Sequence, residues 1–180
     1  MTCVGIDPGL DGAVAILGAD VRVYDTPTCQ VGRREYIAQE MSALLAPLLE
    51  DGPVYVTLEL VHAMPGQGVT SMWRMGYGSG LWEGILAALG VSYERVAPQT
   101  WKRAMLRDMA RDKDAARLKA MQLFPQLAGQ LSRKKDHGRA EALLLAEYGR
   151  RVLGNATHRV SWSPSCQPDD LARASVPEIA

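Results

Sequence analysis

Apolar positions along the chain fall into short blocks separated by turn residues. Residues 2–7 read as a strand that ends on Asp7. Asp11-Gly12 signals a turn, and Ala13–Leu17 is apolar again. Gly18-Ala19-Asp20 turns once more before a third strand at Val21–Tyr24, so the chain opens as a β-meander. Pro27 and Gly32 bracket a loop. From Arg33 to Leu49, Tyr36, Ile37, Met41, Leu44, Leu45 and Leu48 recur at helical spacing, and Asp51-Gly52-Pro53 stops that helix. Val54–Val61 is almost continuously apolar, the mark of a strand buried on both faces, and Glu59 and Thr57 interrupt it.

After the glycine-rich stretch "MPGQGVTSMWRMGYGSG", Leu81–Leu89 reads as a helix and Val91–Val96 as a strand. Pro98 suits the first turn of a helix at "PQTWKRAML". A basic amphipathic helix is expected over Lys113–Leu123, and a last helix after Asp136 at "AEALLLAEYGRR". Residues 1–153 then form one domain. Residues 154–180, with three prolines and little periodicity, are a loosely ordered tail. The alternation of strands and helices predicts a mixed sheet in which the first strand and Val54–Val61 are parallel neighbours.

Length and composition change this picture little. The 180 residues suffice for one core, and 47% hydrophobic with 22% charged residues is an ordinary globular balance. No apolar run approaches the roughly 18 residues of a membrane span, and the N-terminus lacks the pattern of a signal peptide. Cys3, Cys29 and Cys166 have no metal-ligand spacing and suit a reducing cytoplasm. Charge adds more. The net charge is zero, yet residues 102–151 hold 13 Lys/Arg against 6 Asp/Glu, a net of +7, and the remainder is −7. Such asymmetry suits one face that meets a polyanion, and equally a pair of solvated amphipathic helices.

The acids carry the chemistry. Asp7 and Glu59 stand where strands should be apolar, and an ionised carboxylate in a core must be paired, protonated or bound to a cation. On parallel neighbouring strands they converge near the carboxyl ends, a usual place for an α/β active site. Asp136 and Glu141 follow at the start of the last helix, with His137 and Glu141 four apart on one helix face. Four such carboxylates balance two divalent cations, and hard oxygen ligands favour Mg²⁺, with Mn²⁺ as a substitute, over zinc. Two ions about 4 Å apart stabilise the attacking and leaving oxygens of a phosphodiester. Singly, each acid has a plainer reading: Asp7 as a turn former before Pro8, Glu59 paired with a buried Arg, Asp136 as a helix cap, Glu141 as a solvated helix acid.

Taken together, "GIDPGLDGAVAIL", "LELVHAMPGQGVTSMW", "APQTWKRAM" and "KKDHGRAEALLLAEYG" resemble the RuvC-type Holliday junction resolvases, most of all their small phage and prophage branch. The resemblance covers about residues 2–151 with the motifs in family order. It implies an α/β, RNase H-like mixed five-stranded sheet with helices on both faces, a homodimer, and paired symmetric nicks in four-way DNA junctions. By the same likeness Asp7 and Glu59 are the first two metal ligands, and the last two lie within "DHGRAE". There the chain departs from the bacterial pattern of two ligands three residues apart. Asp136 and Glu141 are favoured as ligands, with His137 as a substitute or extra one. The bacterial aromatic wedge after the second acid has no direct counterpart: His62 stands three residues after Glu59, and Trp73 further on.

Candidate DNA contacts follow. The unbulky Gly66, Gln67 and Gly68 let backbone approach a nucleic acid. Trp73, with Met72 and Met75, either stacks on unpaired bases or packs in a core or dimer interface. Lys102, Lys134 and Lys135 suit phosphates, whereas Arg103 and Arg107 suit solvent and Trp82 and Trp101 a core. Three other readings compete. An actin-like phosphotransferase needs two such domains and more length. An RNA-processing nuclease of the same fold (YqgF-like) and a non-catalytic junction-binding relative share the motifs more closely.

Overall fold

The computed structural model describes residues 1–63, 65–109, 112 and 114–155. Its centre is a five-stranded mixed sheet of β1 (Thr2–Asp7), β2 (Ala13–Leu17), β3 (Val21–Asp25), β6 (Val54–Glu59) and β7 (Ser92–Val96). The order is β3-β2-β1-β6-β7. β1 to β3 pair antiparallel as the expected meander, and β1–β6 and β6–β7 are parallel. The register Ile6–Leu58 leaves Asp7 and Glu59 side by side at the strand ends.

Alternation along the strands divides the core in two. Val4, Ile6, Val14, Ile16, Val56 and Leu58 face Met41 and Leu45 of α1 (Ala38–Leu45) and Trp82 and Leu86 of α2 (Val69–Ala88). Cys3, Ala13, Ala15 and Leu17 face Trp101 and Met105 of α3 (Pro98–Met105), Ala120 of α4 (Ala115–Leu123) and Leu143 and Leu144 of α5 (His137–Asn155). The same alternation turns Asp7, two residues beyond Gly5, toward the α5 side. Gly5 has no side chain because α5 leaves no space for one: a Cβ there would stand 2.1 Å from the carbonyl oxygen of Ala142 and 2.3 Å from the amide of Ala146.

Three elements differ from the sequence pattern. Residues 33–36 are not helical. They form β5 (Arg33–Tyr36), which pairs with β4 (Thr28–Val31) as a separate two-stranded ribbon. Gly32, with φ +68°, makes the tip, and distant partners hold Arg34 and Tyr36, which no local periodicity reveals. The helix expected from Arg33 begins only at Ala38 and tightens into a 3₁₀ turn over Ala46–Leu49 at Pro47. Conversely, much of the glycine-rich stretch is helix. α2 begins at Val69 and contains Gly76, Gly78, Gly80 and Gly84. Each glycine costs about 1 kcal/mol of helix propensity. The burial of Trp82 and Leu86 outweighs that, and Gly78 is required because a Cβ there would meet the Tyr36 hydroxyl at 2.3 Å.

The last helix runs to Asn155, past the expected boundary at residue 154, and residues 156–180, which hold the rest of the expected tail and Cys166, lie outside the described residues. Cys3 and Cys29 are free thiols. No helix among the described residues is long and apolar enough to cross a membrane.

Close packing of α5 on β1 predicts a sharp sensitivity. Gly5→Val should lower unfolding free energy by about 3 kcal/mol, because backbone on both sides has to move to admit the side chain. A urea denaturation midpoint equal to that of the unsubstituted chain would show that the two elements are not in contact as described.

Candidate active site

Three carboxylates meet where β1 and β6 end against the first turns of α5. Asp7 closes β1, Glu59 closes β6 and is buried, and Glu141 lies one turn into α5. Burial, followed by the negative charges of Glu59 and Glu141, pushes the Asp7 carboxyl up to about 7, against the opposing pull of the Gly9 amide and Lys102. Burial and Glu141 raise Glu59 as well. The Trp101 indole N–H donates to Glu59 Oε1 at 2.8 Å and works against that rise. Trp101 is fully buried, as expected of a core residue, yet its polar edge orients a site carboxylate. The plainer reading of Glu59 as the partner of a buried Arg is not met, since the side chain that holds it is an indole.

Lys102 Nζ stands 2.7 Å from Glu141 Oε1 and 5.0 Å from the centre of the Trp101 ring. Adjacent residues of α3 thus hold two of the three acids, Trp101 holding Glu59 and Lys102 holding Glu141. With Glu59 drawn to Trp101 and Glu141 to Lys102, no three His, Cys, Asp or Glu side chains among the described residues close to ligating distance. The donor set still suits a hard divalent cation. Three carboxylates gather beside a single ammonium, a surplus of negative charge that suits a cation, and burial together with the charges of Glu59 and Glu141 raises the Asp7 carboxyl.

Asp7 and Glu141 open on a cavity of about 590 Å³ that is also lined by His137, Tyr36, Ser71 and Arg74, among others, with Glu59 buried behind them. Asp136 lies apart from them. It is buried and accepts hydrogen bonds from the Arg133 backbone at 2.8 Å and from the Arg133 guanidinium at 2.8 Å. That arginine holds its carboxyl below the usual carboxylate range. Asp136 lines a neighbouring hollow with Asp25, Arg34 and Lys135, and His137 borders both spaces. The favoured pairing of Asp136 with Glu141 is therefore not what the fold brings together; its plainer reading as a local cap describes its surroundings.

The loop behind Asp7 is clamped by the β4–β5 ribbon. Arg34 donates to the Leu10 carbonyl and the Asp11 carboxylate, and the Tyr36 hydroxyl donates to the Pro8 carbonyl at 3.3 Å. Sequence reasoning missed Arg34, Tyr36 and Arg74 because the ribbon was not expected. The signal for Trp101 was present in "PQTWK", beside Lys102.

Of the expected DNA contacts, Gly66 and Gly68 lie in the open loop before α2, where Gly66 takes φ +80°. Gln67 Nε2 donates to Ser71 Oγ at 3.5 Å. His62 is exposed in the same loop, and Trp73 is 59% exposed on α2. Lys134 and Lys135 are exposed in a 3₁₀ turn before α5. The basic segment is less available than its charge suggests. Arg117, Lys119, Arg133, Arg139, Arg150 and Arg151 all have acidic partners. Among the described residues of that segment, Arg103, Arg107, Lys134 and Lys135 have none.

No protein-family model matches the chain. Over 119 residues, 65% of its length, it is 33% identical to "Holliday junction resolvase MOC1, chloroplastic" from Chlamydomonas reinhardtii, and it spans 14% of that longer protein. Among solved structures, T. thermophilus RuvC in complex with a Holliday junction substrate aligns with a TM-score of 0.51 at 18% identity, covering 86% of this chain and 96% of that one. A further Thermus thermophilus RuvC structure aligns at 0.50, with 18% identity over 84% and 96% of the two chains. The fold is that of RuvC. The expected RNase H-like architecture, a mixed five-stranded sheet with helices on both faces, is thus present. Within this RuvC fold the carboxylates stand at the carboxyl ends of the two central parallel strands.

The raised Asp7 carboxyl predicts a pH dependence of stability. In the unfolded chain it ionises near pH 4, and in the fold at about 7. The folded chain therefore holds the extra proton between those values. The associated stability is complete below about pH 4 and is lost as pH rises through about 7. Thermal melts in a chelator should show Tm falling from pH 5 to pH 8 in the unsubstituted chain and much less in Asp7→Asn. Parallel pH profiles for the two proteins would contradict the described burial and charge.

Proposed function

We propose that the protein is a divalent-metal-dependent endonuclease that nicks four-way DNA junctions, acting as a homodimer. The observation that carries this reading is the meeting of Asp7, Glu59 and Glu141 at the strand ends of a RuvC fold. The 33% identity to a curated junction resolvase supports the substrate class. The phage and prophage likeness of the motifs and a cytoplasmic site of action belong to the same proposal, as does the division into a nuclease domain over residues 1–153 and a tail.

Asp7, Glu59 and Glu141 are the carboxylates that would hold Mg²⁺, two ions per site, with Mn²⁺ as a substitute. His137, which borders the same cavity, takes the fourth place in preference to Asp136. Bound there, the cations would polarise the scissile phosphate and lower the pKa of an attacking water. Trp101 fixes the rotation of Glu59 through its indole N–H. Lys102 supplies fixed positive charge beside Glu141, at a place suited to a non-bridging phosphate oxygen. The ribbon holds the Pro8–Asp11 turn, and with it Asp7, in one position. Lys134, Lys135 and the Gly66–Gly68 loop serve as flanking backbone contacts, and Trp73 as a base contact. One site per chain and two symmetric nicks per junction imply a C₂ dimer.

Cleavage assays on a four-way junction, a duplex and a structured RNA in Mg²⁺ test the reading. Paired nicks in the junction alone are expected, and preferential cleavage of the RNA would replace the substrate class. Asp7→Asn should abolish nicking while junction affinity in EDTA changes by no more than about threefold, since no basic group is lost. Mg²⁺ should raise Tm at pH 8 in the unsubstituted protein and fail to do so in Asp7→Asn.

His137→Ala should slow nicking more than Asp136→Asn when both are assayed at 20 °C, where the weakened Arg133 contact of the latter is tolerated. The opposite order would return the ligand role to Asp136.

A further inference from the structure

The cavity at the strand ends has two walls of opposite character. Asp7 and Glu141 come from β1 and α5, and Lys102, ion-paired to Glu141, comes from α3 on the α5 face of the sheet. The other wall is the start of α2, which packs on the opposite face. It contributes Thr70, Ser71, Arg74 and Met75 and no acid. Among the described lining residues, Arg74 is the only arginine or lysine.

We propose that Arg74 grips the phosphodiester that is cut, from the side of the cavity away from Glu141 and Lys102. The proposal rests on the nuclease reading for its substrate and adds a substrate-binding residue to it. Pairing is the first observation behind it. Eight described arginines form ion pairs with acids. Of the described arginines without an acidic partner, Arg22, Arg103 and Arg107 are exposed, and Arg74 alone is half-buried. It stays unpaired although Asp7 and Glu141 line the same cavity, so the space between them is open to a third body.

Placement is the second. The Tyr36 hydroxyl is held toward the carbonyl oxygens of Pro8 and Arg74, at 3.3 and 3.5 Å. One turn further on, a Cβ at Gly78 would stand 2.7 Å from the Pro8 carbonyl oxygen. The backbone of α2 is thus set against the turn that follows Asp7, and the span from Arg74 to Asp7 is fixed with it. Chemistry is the third. A phosphate that faces the acids, neutralised by cations, through one oxygen turns another toward α2. There a planar guanidinium can take it with two parallel N–H donors, which an ammonium cannot do.

A charge-deletion cycle tests the contact. Cleavage in Mg²⁺ by the unsubstituted protein maps the cut linkage. Four-way junctions then carry a single neutral methylphosphonate at successive linkages around the junction centre. Affinities are measured in EDTA, where no strand is cut. With the all-phosphate junction, Arg74→Ala should weaken binding about tenfold or more, the loss of one charge-assisted contact. With the methylphosphonate at the cut linkage the same substitution should cost no more than about twofold, and at other linkages its full effect should remain. Repulsion between the acids and the phosphate is common to both proteins and cancels in the comparison. Arg74→Lys should recover part of the affinity, because it keeps the charge and loses the fork. Arg103→Ala, exposed on α3, should show no coupling to the cut linkage.

The alanine variant should melt with the unsubstituted protein, since Tyr36 meets only the backbone of Arg74. If it melts early, Arg74→Met keeps the stem without the charge and takes its place. No loss of affinity, a loss equal for all the junctions, or coupling to a linkage other than the cut one would each overturn the proposal. Equal coupling of Arg103 would do the same by making the effect one of general charge. Coupling at one linkage with no cleavage in Mg²⁺ defeats the nuclease reading alone, and cleavage without coupling defeats the role of Arg74 alone.

Discussion

Everything at the candidate site depends on how closely α5 lies on β1. At Gly5 no side chain separates helix from strand, and at Gly138 a Cβ would stand 2.2 Å from the Asp11 carbonyl oxygen. The small residues Ala13 and Ala15 extend the same smooth surface across β2. This contact brings Glu141 to the end of β1 and makes a cluster of three acids that neither strand nor helix produces alone. Close packing of this kind leaves little room for relaxation, so the carboxylates cannot move far apart to relieve their repulsion. Burial at this contact, followed by the negative charges of Glu59 and Glu141, raises the Asp7 carboxyl to about 7.

Around that cluster, charge is distributed economically. α3 contributes one neutral donor and one ammonium from consecutive residues, Trp101 to Glu59 and Lys102 to Glu141. Elsewhere the basic residues are largely engaged with their own acids, as in Arg139 with Asp25 and the buried Glu147 with Arg150 and Arg151. Exposed pairs of this sort contribute little stability, but they reduce the charge offered to a polyanion. Among the described residues, Arg74 on α2 and Lys134 and Lys135 ahead of α5 have no acidic partner and lie near the site, while Arg103 and Arg107 are likewise unpaired. Net charge along the sequence therefore overstates the basic surface, and pairing decides it.

The β4–β5 ribbon links these features. It is too short to be stable alone, and its hold on the Pro8–Asp11 turn through Arg34 and Tyr36 is mutual: the turn gives the ribbon its partners, and the ribbon fixes the residues after Asp7. The requirement for glycine at position 78 belongs to the same arrangement, since Tyr36 occupies the space a side chain would need.

The sequence by itself determined the elements whose logic is local. The meander, the buried β6, α3 after Pro98 and the last helix all follow from apolar period and turn residues. Asp7 and Glu59 stood out because an acid in a buried strand is costly wherever the strand goes. Parallel pairing of those strands was enough to set the two acids together. What only the tertiary structure decided depends on contacts between distant segments. Residues 33–36 have helical spacing but form a strand, because their partners are Pro8, Leu10 and Asp11. α2 forms through four glycines because burying Trp82 and Leu86 outweighs their propensity. Asp136 and Glu141 are both acids beside the same helix start, yet Arg133 takes one and the end of β1 meets the other. That choice rests on the rotation and depth of α5 against the sheet, which steric fit at Gly5 and Gly138 sets and no local pattern encodes.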